Sequence, residues 1–197
     1  WVSLNHISEH VILATINTED QHFYNHHGFD ILRILKALYV NITSGSTKQG
    51  ASTISQQYAK NLFLDFDKTW ERKIDEMWLT LKLEIGYSKD EILEGYLNTI
   101  NYGHGMYGIQ NASQFYFDKD AKDLTLAESA LLVGIPKSPS YYSPLVNYEL
   151  SKKRQVNILY GLYKNKKITE EEYNQAIAED LHIVGEKNYQ DLSTIMY

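Results

Sequence analysis

The stretch TWERKIDEMWLTLKLEIG, residues 69–86, decides how the rest of the chain is read. Its apolar residues Trp70, Ile74, Met77, Trp78, Leu81 and Ile85 recur at helical spacing and trace one face of a helix. Thr69 is placed to cap the start of that helix and Gly86 to stop it. Immediately beyond, Ser88-Lys-Asp-Glu91 is a capping box for a helix with Ile92, Leu93, Tyr96 and Leu97 on its face. Thr125-Leu-Ala-Glu128 and Thr169-Glu-Glu-Glu172 open later helices in the same way. Upstream, Asp30 precedes an apolar run over 31–40 that only Arg33 and Lys36 interrupt. Gly50 leads into a helix over 52–64, capped by Ser52 or Thr53. The polar stretch 41–49 reads as a mobile loop, and 134–144, which holds all three prolines, as a second one. Alternation rich in Val, Ile and Thr does not stand out, so strands are minor at most. There is no internal repeat. The expected fold class is mainly α.

Composition narrows the function classes. The chain has 197 residues, the scale of one domain with room for a small lobe. At 43% hydrophobic with a net charge of −6 it can bury a core, which argues against disorder. No stretch approaches the roughly 18 uninterrupted apolar residues of a membrane span, and no signal peptide is recognisable. Cysteine is absent, which removes disulfides, zinc ribbons and thiol catalysis together. The acidic balance speaks against nucleic acid as a partner. Charge is uneven, however: between Arg33 and Lys82 stand eight basic residues against five acids. Such a positive middle suits a locally held anion, or simply two solvated helix faces.

Two motifs mislead. Gly103-His-Gly105-Met-Tyr-Gly108 spells the dinucleotide fingerprint, but a capped helix precedes it where the fingerprint needs a strand. His6 and His10, like His22 and His26, are spaced to share a helix face and bind zinc. Neither first His is followed by the Glu of a metalloprotease, so these histidines read as packing or capping groups and no metal site is assigned.

More telling are polar residues where a core would not want them. Glu19-Asp20 closes an apolar segment and is followed by Phe23, His26 and Gly28, a setting that can tune one acid as a base. In 50–61, two adjacent amides, Gln56 and Gln57, share an amphipathic helix with Lys60 and Asn61. Arg72 and Glu76 stand at i,i+4, a pairing that could be only a surface ion pair.

Taken together, these motifs resemble the glycosyltransferase family 51 domain, the peptidoglycan polymerase of class A penicillin-binding proteins and monofunctional transglycosylases. The resemblance runs from about Ile12 to Pro144. It rests on Glu19-Asp-x-x-Phe23-x-x-His26-x-Gly28, then Gly50-x-Ser52-Thr53-x-x-Gln56-Gln57-x-x-Lys60-Asn61, then Arg72-Lys73-x-x-Glu76. Glu91-Ile-Leu-Glu94-x-Tyr96-Leu97-Asn98 and Leu126-Ala-Glu128-x-Ala130-Leu131-Leu132 follow in the same order.

The resemblance implies a lysozyme-like helical domain over 1–186 with a smaller membrane-proximal lobe, to which about 29–65 contributes, and a linker over 187–197. It implies polymerisation of lipid II into β-1,4-linked glycan, with inversion and release of undecaprenyl pyrophosphate. Glu19 matches the general base that takes the acceptor's 4-hydroxyl proton. Glu76 matches a second carboxylate near the leaving group, either orienting a base or helping to hold a divalent cation, Mg or Mn. Ser52 and Gln57 match residues of the donor cleft, and Asn61 stands in the same motif. Lys60, Lys68 and Arg72 supply cations for the pyrophosphate. Lys68 departs from the arginine common in the family, keeping the charge but not the bidentate fork.

The implied partners are lipid II, the growing strand, the membrane surface and a transpeptidase domain in a parent chain, since no Ser-x-x-Lys occurs here. The implied location is the extracytoplasmic face of the cell membrane, with the anchor segment outside this chain. Two alternatives remain: a lysozyme-like enzyme that cleaves the glycan, which has no use for a pyrophosphate pocket, and an inactive glycan-binding or scaffold module.

Overall fold

The capping residues set the helix starts in the computed structural model, which describes residues 1–44, 51–63 and 70–185, with the backbone alone for 63 and 70–72. Ten α-helices are present among them: α1 Glu9–Glu19, α2 Ile31–Ser44, α3 Ile54–Phe63, α4 Trp70–Gly86, α5 Lys89–Thr99, α6 Ile109–Phe117, α7 Leu126–Gly134, α8 Pro139–Tyr142, α9 Tyr148–Lys164 and α10 Glu170–Ala178. Among the described residues there is no strand, only an isolated bridge between Asn101 and Tyr107. The mainly α expectation holds. The boxes at Thr125 and Thr169 are both closed, each threonine accepting from the N3 amide while the N3 glutamate accepts from the cap amide. Ser88 and Glu91 reciprocate likewise at 3.3 and 2.7 Å. Of the two candidate caps of α3 it is Thr53 that acts. Its hydroxyl accepts from the Gln56 amide at 3.2 Å, and Gln56 Oε1 accepts from the Thr53 amide at 3.0 Å. The Thr69 cap and the 187–197 linker lie outside the described residues.

The loop expected over 134–144 is corrected, and so is the described part of the one expected over 41–49, whose residues 45–49 lie outside the described residues. Residues 41–44 continue α2, because the apolar periodicity runs on through Ile42 and Thr43 Oγ1 back-bonds to the Tyr39 carbonyl at 2.9 Å. The segment 134–144 forms a 3₁₀ turn, Ile135–Lys137, followed by α8. Pro136 and Pro139 stand at first-turn positions, where a missing N–H costs nothing.

The chain divides into two compact units, one of residues 1–18 with those from 97 onward, the other Glu19–Tyr96. The first is organised around α7, every residue of which is buried. It packs against α6, α9 and α10, and Gln155 Nε2 donates to the Ala127 carbonyl at 2.7 Å. Leu131, Leu132, Leu159 and Leu162 form its apolar centre. Gly108 is required here. Its φ is +84°, and a Cβ would stand 2.6 Å from the Asn98 carbonyl oxygen.

The second unit contains α2, α3, α4 and α5 as far as Tyr96, with α3 lying along α4. Phe23, Ile54, Ala59, Leu83, Ile92 and Leu93 are buried in it, but so are Asp20, Asp30, Thr53, Ser55, Gln56, Glu76 and Thr80. The apolar stripe of α4 that located this helix points outward: Ile74, Met77, Trp78, Leu81 and Ile85 are exposed. The same is true of Ile31, Leu32, Ile34, Leu35, Leu38, Tyr39 and Ile42 on α2, where Ala37 is the buried residue. No described helix is long and apolar enough to cross a membrane.

Candidate active site

Every described residue of the candidate site falls in the second unit. Glu19 is the last residue of α1, half-buried, with its carboxylate at the negative end of the helix dipole. A negative charge there is disfavoured by about 0.3–1 kcal/mol. What holds it is Gln57 on α3, whose Nε2 donates to Glu19 Oε2 at 3.0 Å.

The turn after Glu19 is clamped by its neighbour. Asp20 is fully buried, and its carboxylate accepts from His26 Nε2 at 2.9 and 3.0 Å and from the Ile54 amide, the first of α3, at 3.0 Å. Arg33 of α2 stands 3.9 Å from Asp20 and donates to the Glu19 carbonyl oxygen. A buried carboxylate with this many donors has its hydrogen-bonding capacity met. Asp20 therefore ties the end of α1, the start of α3 and α2 to one point. Gly28 lets the same segment pass α4. Its φ is +88°, a Cβ would meet Thr80 Cγ2 at 2.9 Å, and its carbonyl accepts from Thr53 Oγ1 at 2.6 Å. Asp30 caps α2, accepting from the Arg33 amide at 2.9 Å and pairing with His22 Nδ1 at 2.8 Å. Burial pushes the Asp30 carboxyl up, but the Arg33 amide and the His22 ring outweigh it and its pKa lies below the ordinary value.

Helical geometry then arranges the rest of α3. Gln57, Lys60 and Asn61 stand at i, i+3 and i+4, so the stripe that touches Glu19 carries an exposed ammonium and an exposed amide one turn on. Ser52, just before the cap, is exposed as well. Glu76 is buried on the inward side of α4 and ion-paired with Lys73 rather than displayed as half of a surface pair. Arg72 lies one helical turn before Glu76 on the same stripe, described by its backbone, and Lys68 lies outside the described residues.

The geometry thus joins Glu19 to Gln57, aligns Lys60 and Asn61 with that pair, and gives Glu76 its own partner. Three residues with a positional role carried little signal in the sequence. Arg33 looked like one of two charges on an apolar helix face, yet it turns in toward Glu19 while Lys36 stays exposed. Lys73 was one letter of a motif, and Tyr96 one apolar position of α5. Tyr96 is buried, and its hydroxyl donates to Gln57 Oε1 at 3.2 Å.

The chain is similar to known proteins over most of its length. Residues 1–163 match the Transglycosylase family. Penicillin-binding protein 2D of Bacillus subtilis is 52% identical over 181 residues, covering 92% of this chain and 26% of the relative. Penicillin-binding protein 1A of Neisseria lactamica is 49% identical over 169 residues, 86% of this chain and 21% of the relative. The chain thus spans about a quarter of the length of these curated relatives. The crystal structure of penicillin-binding protein 1A from Haemophilus influenzae shares the fold, with a TM-score of 0.52 at 24% identity over 92% of this chain and 18% of that one. Neither glycan cleavage nor a silent module is favoured by these matches.

Proposed function

The chain belongs to the Transglycosylase family, and from that premise we propose that it polymerises lipid II into β-1,4-linked glycan with Glu19 as the general base. The observation that carries the reading is the Glu19–Gln57 pair, with Lys60 and Asn61 on the same stripe of α3. An amide donor on one carboxylate oxygen fixes the plane of the group and leaves the other oxygen to take a proton. In the proposed step Glu19 removes the 4-hydroxyl proton of the acceptor. The freed oxygen forms a bond to the donor's C1 from the side opposite the pyrophosphate. The C1–O bond to undecaprenyl pyrophosphate breaks with its electron pair, and configuration inverts.

Negative charge grows on the departing pyrophosphate, and cations fixed in place beforehand lower that barrier most. Lys60, Lys68 and Arg72 are assigned to it, with Ser52 and Asn61 on the donor. Glu76, held by Lys73, is assigned to orientation near the leaving group. A divalent ion beside Glu76 would be held by that one carboxylate together with the substrate's pyrophosphate oxygens rather than by an all-protein cage. No group of three His, Asp or Glu among the described residues could enclose one, and Glu76 is engaged by Lys73.

A substrate with a polyprenyl tail keeps its reacting end at the bilayer, since exposing each CH₂ costs about 0.8 kcal/mol. The outward apolar face of α2, with Lys36 at its edge, is assigned to the membrane surface at the extracytoplasmic face. A transpeptidase domain elsewhere in a parent chain would cross-link the product.

The test is polymer formation from purified lipid II. Glu19→Gln is expected to lower turnover by roughly 10²–10⁴-fold with an unchanged melt, and Lys60→Ala to lower it without unfolding. Near-normal turnover by Glu19→Gln overturns the assignment of the base.

A further inference from the structure

The hydrogen bonds around Glu19 have a direction, and it does not end at Gln57. A carboxylate only accepts, so Gln57 must present its NH₂ to Glu19 and its Oε1 to whatever lies on the other side. There the donor is the Tyr96 hydroxyl, 3.2 Å away, completing a chain Tyr96 Oη to Gln57 Oε1, then Gln57 Nε2 to Glu19 Oε2 at 3.0 Å. The two ends are anchored unequally. Gln57 is half-buried on α3, whereas Tyr96 is 2% exposed on α5. Next to it Gly95 lets Tyr58 of α3 close in, and a Cβ there would stand 2.3 Å from the Tyr58 ring. That contact seats α3 on α5 and keeps the phenol within reach of the amide.

An amide is nearly symmetric in shape. Turned over, Gln57 would fill the same space with its oxygen against the Glu19 carboxylate, acceptor against acceptor. The side chain that breaks this symmetry is Tyr96, which rewards one orientation by donating to the oxygen. We propose that Tyr96 is a positioning residue for the general base. It acts through Gln57, selecting the amide orientation that holds Glu19 ready to receive a proton. The proposal rests on the reading of Glu19 as the base and adds a residue to it.

The test is a double-mutant cycle in the lipid II polymerisation assay. Tyr96→Phe keeps the ring and removes one hydrogen bond, so kcat is expected to fall about three- to tenfold, with KM for lipid II within about twofold because Tyr96 is 2% exposed and its hydroxyl is directed to the Gln57 amide. On a Gln57→Ala background the same change should have no further effect, since the relay is already cut. A structural role for the hydroxyl would lower activity equally on both backgrounds. An unchanged kcat for Tyr96→Phe, or losses that multiply, overturns the proposal, as does a fall confined to KM. Glu19→Gln is run beside it. If that variant stays active the base reading fails, whereas an inactive Glu19→Gln with a fully active Tyr96→Phe removes the relay alone.

Discussion

In α7 all of Leu126–Gly134 is buried, whereas in α4 Ile74, Met77, Trp78, Leu81 and Ile85 face outward and Glu76 and Thr80 lie inside. Both helices carry abundant apolar residues, and they serve opposite purposes. α7 is apolar apart from Glu128, which caps its start and pairs with Lys119, and Ser129, and it is surrounded by protein, so its burial drives the folding of its unit. α4 turns its polar stripe toward α3, where Thr53, Ser55 and Gln56 are also buried, and its apolar stripe away. The interior of Glu19–Tyr96 is held together by directed bonds as much as by area. Ser55 Oγ donates to Glu84, Lys89 Nζ reaches Glu84 at 2.7 Å, and the same ammonium stands 4.6 Å above the Phe23 ring. One unit is built to be a core and the other to hold polar chemistry inside an apolar exterior.

Leu131→Ala removes a side chain that is 1% exposed at the centre of the first unit. It should cost about 2–5 kcal/mol in denaturant unfolding, and a loss under about 1 kcal/mol would mean that α7 is not the core the burial suggests. Next comes Asp30→Ala in the second unit, expected to cost about 1 kcal/mol near neutral pH through the lost cap of α2. Because the folded Asp30 pKa is lowered from 3.8, its contribution is present above that value and is lost as pH falls through the lowered one. The gap between native and variant melts should therefore close on acidification below about pH 4, and a gap that widens there would reverse the sign assigned to Asp30. Smallest in stability are the outward apolar residues. Ile85→Ser on α4, where Ile85 is 85% exposed, and the pair Leu35→Ser and Leu38→Ser on α2 should each stay within about 0.5 kcal/mol. The α2 pair should nevertheless reduce co-sedimentation with anionic vesicles. Equal pelleting of native and variant protein would detach α2 from the membrane surface.

Much of this molecule was legible before folding. The boxes at Ser88, Thr125 and Thr169, the stop at Gly86 and the motifs around Glu19, Gln57 and Glu76 are short-range patterns, and a local pattern is satisfied by its own few residues whatever surrounds it. Helix positions and the mainly α class follow from them, and motif order pointed to the family. Side was not legible. Periodicity places Ile74, Trp78 and Ile85 on one stripe but carries nothing about whether protein or another apolar phase lies against it, because the moment is the same in either case. Nor was the direction of a long polar side chain. Arg33 turns inward to the Glu19 carbonyl, Lys73 takes Glu76, and Asp20 collects donors from His26 and Ile54, all through contacts between residues distant in the chain or across a helical turn. The largest gap is Tyr96. In the sequence it is an apolar position of an amphipathic helix, and only the approach of α5 to α3 brings its hydroxyl to Gln57. A tyrosine ring satisfies periodicity by its apolar body, while its hydroxyl obeys a rule of position that tertiary packing alone can impose.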